Sequence, residues 1–520
     1  MYKQLLQVLI FSFFFISCKS EVRKESNQII NSKKPNIVII YADDLGFGDI
    51  GVNGAIGVAT PNIDKLAKNG INFTDSHCSA ATCTPSRYSL LTGSYAFRND
   101  AQILAGDAPL LIDVNTPTLP KMLQKNGYKT AVVGKWHLGL GNGTVDWNKE
   151  ISPGPKQVGF DYSFLIPATG DRVPTVYVEN QNVVKLNIED PLRVSYTEKI
   201  GDVPTGYENP EFRKQKADPQ HNKTIINGIS RIGHMSGGKS AWWVDEEFPD
   251  KLVEKSKAFI NTNKNQPFFL YLAYHDIHVP RSPNKRFLGK SDMGLRGDAI
   301  AQMDWCTGEV VNYLEELGLD KNTIVVFTSD NGPVLNDGYE DEAVEKLGAH
   351  KPAGVYRGGK YSAFEAGTRM PTIVYWPETI KSKTSNALWS QVDLYASFAD
   401  LIDHKLDSIE APDSFNMLDV ITGNSAEGRD EMLEESFTFS LRKGEWKYIQ
   451  PLVTNKKKSL ESGIGWIKKK GIEPGGSLQP QLYNLKEDVS ETTNVALENE
   501  KLVEDMQSKI EMIKKKGTRF

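Results

Sequence analysis

Cysteine is scarce: Cys18, Cys78, Cys83 and Cys306 are the four thiols of a 520-residue chain. That is too few for a disulfide scaffold, and neither their spacing nor the nearby histidines make a zinc pattern. An excess of basic residues is missing as well. The formal net charge is -5 with 24% charged residues, which leaves no electrostatic footprint for nucleic acid, so any anion recognition must be local. Beyond the first 18 residues no run is long and apolar enough to span a membrane. Internal repeats and low-complexity segments are absent too. What is present is enough chain for a large core, organised as one big domain and a smaller one.

The N-terminus carries the exception to this even polarity. Leu5 to Ile16 is apolar, follows Lys3 and precedes Ser17-Cys18, which is too short for a spanning helix and fits a secretory signal over residues 1–18. Ile16-Ser17-Cys18 resembles a relaxed bacterial lipoprotein cleavage box. Cys18 is therefore a candidate for lipidation, which would be the chain's membrane contact; plain cleavage near Ser17 is the alternative. Residues 19–34 are polar and of mixed charge and read as a tether. The fold begins at Pro35, with a catalytic domain expected over 35–428 and a C-terminal α+β subdomain over 429–520.

Four strand-like runs end in polar clusters. Asn36-Ile37-Val38-Ile39-Ile40-Tyr41 leads into Asp43-Asp44, Thr130-Ala131-Val132-Val133 into Lys135-Trp136-His137, Phe268 to Ala273 into His275 and His278, and Thr323 to Phe327 into Asp330-Asn331. Continuous apolar runs of this length suit strands buried on both faces, and open α/β sheets place ligand sites at the carboxyl ends of such strands. Adjacent carboxylates at a strand end repel by up to ~4 kcal/mol at ~4 Å and an effective dielectric of ~20, so Asp43 and Asp44 call for a cation unless a turn leaves them solvated. Short helices, each with Pro near the start and Gly at the end, are expected over 60–70 and 118–127. Residues 148–250, rich in Pro, Gly, Asn and charge, read as long insertions over the mouth of the site. After about residue 430 a hairpin turning near Lys443-Gly444, a strand at Gln481 to Leu485 and an amphipathic helix over 499–516 are expected. The fold class is thus α/β, a large mixed and mostly parallel sheet sandwiched by helices, with a smaller antiparallel sheet plus helix at the C-terminus.

Cys83-Thr84-Pro85-Ser86-Arg87 draws these pieces together. Pro85 suits the first position of a helix running on through Leu91, so Cys83 would lie at a helix N-terminus with Arg87 one turn further on, a natural place for an anion. A Cys78–Cys83 disulfide and a plain buried thiol are the alternatives. The Cys-x5-Arg pattern of cysteine phosphatases fails, because Ser89 stands where it needs Arg.

The run from Cys83 to Arg87, followed by Leu91-Thr92-Gly93, resembles the signature of the Cys-type formylglycine-dependent sulfatases of the alkaline phosphatase superfamily. The order of the Asp43-Asp44, Gly134-Lys135-Trp136-His137, His275/His278, Asp330-Asn331 and Gly358-Gly359-Lys360 segments is similar to that of the same family, in its bacterial carbohydrate-sulfatase subgroup. The resemblance implies an alkaline-phosphatase-like domain and a Cys83 oxidised to formylglycine by a maturation enzyme. It implies one calcium held by Asp43, Asp44, Asp330, Asn331 and the modified Cys83, all hard oxygen donors. It further implies that Arg87, Lys135 and Lys360 position sulfate, that His278, with Lys360, protonates the leaving oxygen, and that His137 takes a proton from the formylglycine hydrate to expel sulfate.

Sugar recognition is expected from polar residues of the mouth loops: Asp171, Arg172, His234, Arg281, His350 and Lys351. The substrate expected is a sulfated polysaccharide or glycosaminoglycan, with galactose or N-acetylgalactosamine 6-sulfate suggested by 275–281, 337–351 and 357–369, and other algal sugars such as those of ulvan as the alternative. Two further readings stand beside it: a phosphatase or phosphonate hydrolase of the same superfamily, and a non-catalytic lipoprotein that binds sulfated glycan. The expected location is the periplasm or an outer-membrane lipid anchor.

Overall fold

The computed structural model describes residues 34–452, 465, 467–468 and 471–516. The signal segment, most of the tether and Cys18 lie outside the described residues. Within them no helix is long and apolar enough to cross a membrane.

A ten-stranded sheet forms the centre of the molecule. Its middle consists of Thr323–Ser329, Asn36–Ala42, Phe268–Ala273, Lys129–Lys135 and Tyr162–Ile166, in that spatial order and all parallel. Both flanks turn antiparallel, at Thr372–Tyr375 on one side and at the short Val178–Glu179 and Asn182–Val183 strands on the other. The first strand shows why a continuous apolar run was needed. Ile37, Ile39 and Tyr41 enter the core on one face of the sheet, whereas Val38, Ile40 and Ala42 enter the core on the other. Each fully buried aliphatic side chain contributes roughly 1.5–3 kcal/mol, so exposing either face would be costly.

The expected helices are present with shifted ends. Pro61–Asn69 and Leu119–Lys125 fall inside the spans read from sequence, and a further, longer helix covers Gly294–Glu316. The helix bearing the signature begins at Cys83 rather than at Pro85 and runs to Thr92. A helix's first-turn N–H groups have no intrahelical partner, so proline is tolerated at the third position and does not mark the start. Gly93 ends this helix in the left-handed conformation at φ +64°, where a Cβ would also lie 2.5 Å from the Cβ of Ala411.

At the C-terminus Glu431–Glu435, Phe439–Lys443, Trp446–Ile449 and Gln481–Asn484 form an antiparallel sheet. Met506, Ile510 and Ile513 of the Glu500–Lys516 helix are buried in the same core as Leu441, Tyr448 and Leu482. A buried ion network joins this sheet to the larger one. Glu365 accepts from Arg369 and Arg442 (2.9 and 2.7 Å) and lies 3.1 Å from Lys447 Nζ, while Glu434 accepts from Lys447 at 2.5 Å. Burial alone would raise the Glu365 pKa, but Arg442, Lys447 and Arg369 outweigh it and hold the carboxyl well below its ordinary value. Its contribution to stability is therefore present above the unfolded carboxylate pKa of about 4.3 and is lost as pH falls through the depressed folded value. Glu365→Ala is expected to destabilise the fold by ~3–5 kcal/mol, because three buried cations lose their common partner. Chemical denaturation at neutral pH checks this; an unchanged midpoint would show the network to be dispensable.

Candidate active site

The four central strands deliver their terminal residues to one edge. Ala42 lies opposite Ser329, Tyr41 opposite Ala273, and Ala273 opposite Gly134, so Asp43, Asp330, His275 and Lys135 leave the sheet side by side. Gly134 has φ +110°, and a Cβ there would lie 1.9 Å from the carbonyl oxygen of Ala273, so only glycine lets the chain turn Lys135 inward.

Charges are concentrated and paired in this pocket. Lys135 Nζ donates to Asp43 Oδ2 at 2.5 Å, and Lys360 Nζ donates at 3.0 Å to both Asp44 and Asp337. Arg87 donates to Asp330 Oδ2 through Nε (3.0 Å) and Nη2 (2.7 Å), and through Nη1 to the carbonyl of Lys135 (3.1 Å). With Nε and both terminal nitrogens engaged, Arg87 holds Asp330 in place. Asn331 Nδ2 donates to Asp44 Oδ1 at 2.7 Å. Two oxygens in this group, Asp43 Oδ1 and Asn331 Oδ1, are buried and accept no hydrogen bond among the described residues. Burial, the neighbouring Asp330 and Asp44 push the Asp43 pKa well up despite Lys135 and Arg87. Orphaned hard oxygens, one carboxylate and one amide, beside crowded carboxylates are a donor set that fits calcium.

Cys83 is buried, and its Sγ lies 3.3 Å from His137 Nδ1. The other ring nitrogen, Nε2, donates to the carbonyl of Leu104 at 3.0 Å, which leaves Nδ1 to accept the thiol proton. Burial raises the Cys83 pKa even though Lys135 and Lys360 oppose it, so the group at position 83 is a thiol and not a thiolate. The alternative of a Cys78–Cys83 disulfide is not met: Cys78, Cys83 and Cys306 are all free. His278 donates from Nδ1 to the carbonyl of Val279 at 2.6 Å and turns Nε2 toward Asp44, 3.8 Å away. Burial, Lys360 and Lys135 keep it neutral, its pKa well below the ordinary value.

A metal-competent acidic cluster, cationic groups and two neutral histidines around a non-nucleophilic cysteine suit the hydrolysis of an anionic ester. A family model described as Sulfatase matches residues 35–404. The chain belongs to the sulfatase family. It is an enzyme, a sulfuric ester hydrolase. It is 49% identical over 501 residues to an N-acetylgalactosamine-6-O-sulfatase of Bacteroides thetaiotaomicron, covering 96% of each chain. A solved structure from work on the metabolism of multiple glycosaminoglycans by the same organism superposes with a TM-score of 0.89 at 48% identity, covering 93% of this chain and all of that one. Ps i-CgsB, solved in complex with k-i-k-neocarrahexaose, matches at 25% identity and a TM-score of 0.67, with 94% of each chain covered.

The mouth of the sulfatase pocket draws on fewer of the expected residues. Asp171 and Arg172 line the same cavity as Cys83, His278 and Lys360. Arg172 Nη1 donates to Asp171 Oδ1 at 2.8 Å, and His221 is held between Asp171 (3.2 Å) and Asp218 (2.7 Å). His234 is instead part of a two-stranded ladder with Ser195. Arg281 donates to Asp341 at 2.7 Å and to the carbonyls of Ile277, Val334 and Leu335, and His350 is hydrogen-bonded to Asp49 at 2.8 Å, so both are internal staples. Lys351 is exposed. None of these four lines the cavity at Cys83. Polar residues in a loop can serve the loop's own packing as readily as a ligand, and here the buried ones do. Conversely, Gln220, His221, Asp337 and Tyr361 line the cavity without having been singled out. The only signal for His221 was the rarity of histidine, eight in the chain.

The loop bearing Lys360 is tied down from the C-terminal segment. Ala363 N donates to Pro474 O (2.9 Å), Ser362 Oγ to Glu473 O (2.6 Å), and Glu365 N to Glu491 Oε2 (2.7 Å).

Proposed function

We propose that this sulfatase is exported and removes sulfate from a sugar of a polysaccharide or glycosaminoglycan, with galactose or N-acetylgalactosamine 6-sulfate as the favoured unit. The observation that carries the chemistry is Cys83 itself: a buried, protonated thiol at a helix start, hydrogen-bonded to a neutral His137, is a poor nucleophile. Conversion to formylglycine by a maturation enzyme would replace it with a hydrated aldehyde whose oxygen attacks sulfur. Calcium held by Asp43, Asp44, Asp330, Asn331 and the modified residue would supply positive charge beside the sulfate.

The chain's own groups account for the rest. Lys135 and Lys360 bring positive charge to the sulfate oxygens, while Arg87 acts through Asp330. His137 Nδ1, which already accepts from position 83, would accept the proton whose removal restores the aldehyde. His278 Nε2 carries a lone pair in the neutral ring, so it would take up a proton as the anionic ester arrives and return it to the departing sugar oxygen, with Lys360 alongside. Asp171 and Arg172 are the sugar contacts supported by their place in the cavity. The 6-sulfate preference rests on the Bacteroides relative, and export rests on the signal-like residues 1–18, with Cys18 as the candidate lipid site.

A panel of sulfated mono- and disaccharides, assayed for free sulfate with protein co-produced with a maturation enzyme, tests the reading. Release from N-acetylgalactosamine 6-sulfate and not from its 4-sulfate isomer is the expected result. No sulfate released from any sugar, with a phosphate ester hydrolysed in a parallel assay for free phosphate, would sink it.

A further inference from the structure

Beside the Cys83 pocket lies a cavity of about 490 Å³, and one of its walls plays no part in the chemistry above. Arg172, Gln220 and Tyr361 line both spaces, so a sugar whose sulfate lies at Cys83 has its ring in or against the larger one. Part of its lining, Glu435, Ser436 and Phe437, comes from the first strand and turn of the C-terminal sheet. Glu435 ends the strand Glu431–Glu435, and its backbone is fixed to the segment just before the signature: its N–H donates to Ser79 O at 3.0 Å, and its carbonyl accepts from Ala81 N at 2.8 Å. The Oε2 atom of Glu435 is buried and has no hydrogen-bond partner among the described residues. Such an oxygen is costly to bury unless a ligand completes it.

Resting on the carbohydrate reading above, we infer that Glu435 is a specificity-determining residue, its carboxyl hydrogen-bonding a hydroxyl of the sugar ring that carries the sulfate. The surroundings suit a neutral acid. Burial pushes the Glu435 carboxyl up to about 8, with the Phe97 backbone N–H opposing and Asp100 adding to the shift. The other titratable groups around the cavity are Arg172, Tyr196 and Tyr361. A protonated Glu435 both donates and accepts, and it places no negative charge against an anionic substrate. Above its pKa it ionises and repels that substrate.

The test compares matured full-length wild type with Glu435→Ala and Glu435→Gln on N-acetylgalactosamine 6-sulfate and on an aryl sulfate without a sugar. Glu435→Ala is expected to raise KM for the sugar about tenfold with kcat changing by less than about threefold. In wild type KM should climb between about pH 7 and about pH 9, and Glu435→Gln should keep the neutral-pH KM and flatten that climb. A sugar KM within about twofold of wild type in both variants, or equal losses on sugar and aryl sulfate, would overturn the assignment. If Glu435→Ala does not fold, the pH profile of the Gln variant decides alone. Wild type that cleaves the aryl sulfate and no sulfated sugar overturns the substrate reading and this inference together; wild type active on the sugar with both variants unchanged overturns only this one.

Discussion

Replacing Cys83 with alanine is expected to lower sulfate release by ~10⁴-fold or more, the scale of losing a covalent nucleophile. Wild type produced without a maturation enzyme should fail just as completely, and that second arm carries the argument. If the thiol were the nucleophile, unmodified protein would be active. The structure speaks against that: Cys83 is buried, its pKa is raised, and the neighbouring His137 is neutral because burial, Arg172 and Lys135 all disfavour the imidazolium. A neutral imidazole offers no cation to pair with a thiolate. Mass spectrometry of the peptide containing Cys83 should show the CH2–SH side chain oxidised to an aldehyde, with oxygen in place of sulfur and two hydrogens fewer, in active preparations and an intact thiol in inactive ones. Full activity with an intact thiol would refute the formylglycine mechanism.

Asp330→Ala should be nearly as severe, with turnover reduced at least ~10³-fold and bound calcium lost by elemental analysis. Two effects are superimposed in that variant. Asp330 Oδ2 takes two of Arg87's hydrogen bonds, so its removal leaves a guanidinium buried without its carboxylate, at a cost of ~3–5 kcal/mol in stability. Asn331→Ala separates them. It removes the orphaned Oδ1 without touching Arg87, and should lose calcium and activity with a smaller change in melting temperature. Calcium retained in both variants would remove the metal assignment.

Much of this site was legible because chemistry and burial coincide at the strand ends. Asn36–Ala42 must be apolar on both faces, so the abrupt change to Asp43-Asp44 stands out, and the same holds for Lys129–Lys135 and Thr323–Ser329. The strand Glu431–Glu435 was hidden for the opposite reason. Its Glu, Met and Leu favour a helix, and pairing with Phe439–Lys443 overrides that preference. His350 misled as a recognition candidate because its partner, Asp49, is 301 residues away, a distance over which sequence spacing carries no information. In the 148–250 insertions no period ties residues to a face, so His221 could not be distinguished from surface.

The C-terminal sheet contributes none of the groups proposed to touch sulfate, yet residues just after Lys360 hang from the segments flanking its last strand, Ala363 on Pro474, Ser362 on Glu473 and Glu365 on Glu491. Order in that loop is therefore shared: Lys360 N and Tyr361 N donate to Pro333 O and Ala81 O, the residues beyond them lean on the smaller C-terminal unit, and the carboxylates stand on the far larger central sheet. As temperature rises, the smaller unit can open first, and the lysine's loop then loses one side of its support although the acidic cluster is intact. The thermal ceiling of catalysis would be set at the periphery of the molecule, well before its centre melts.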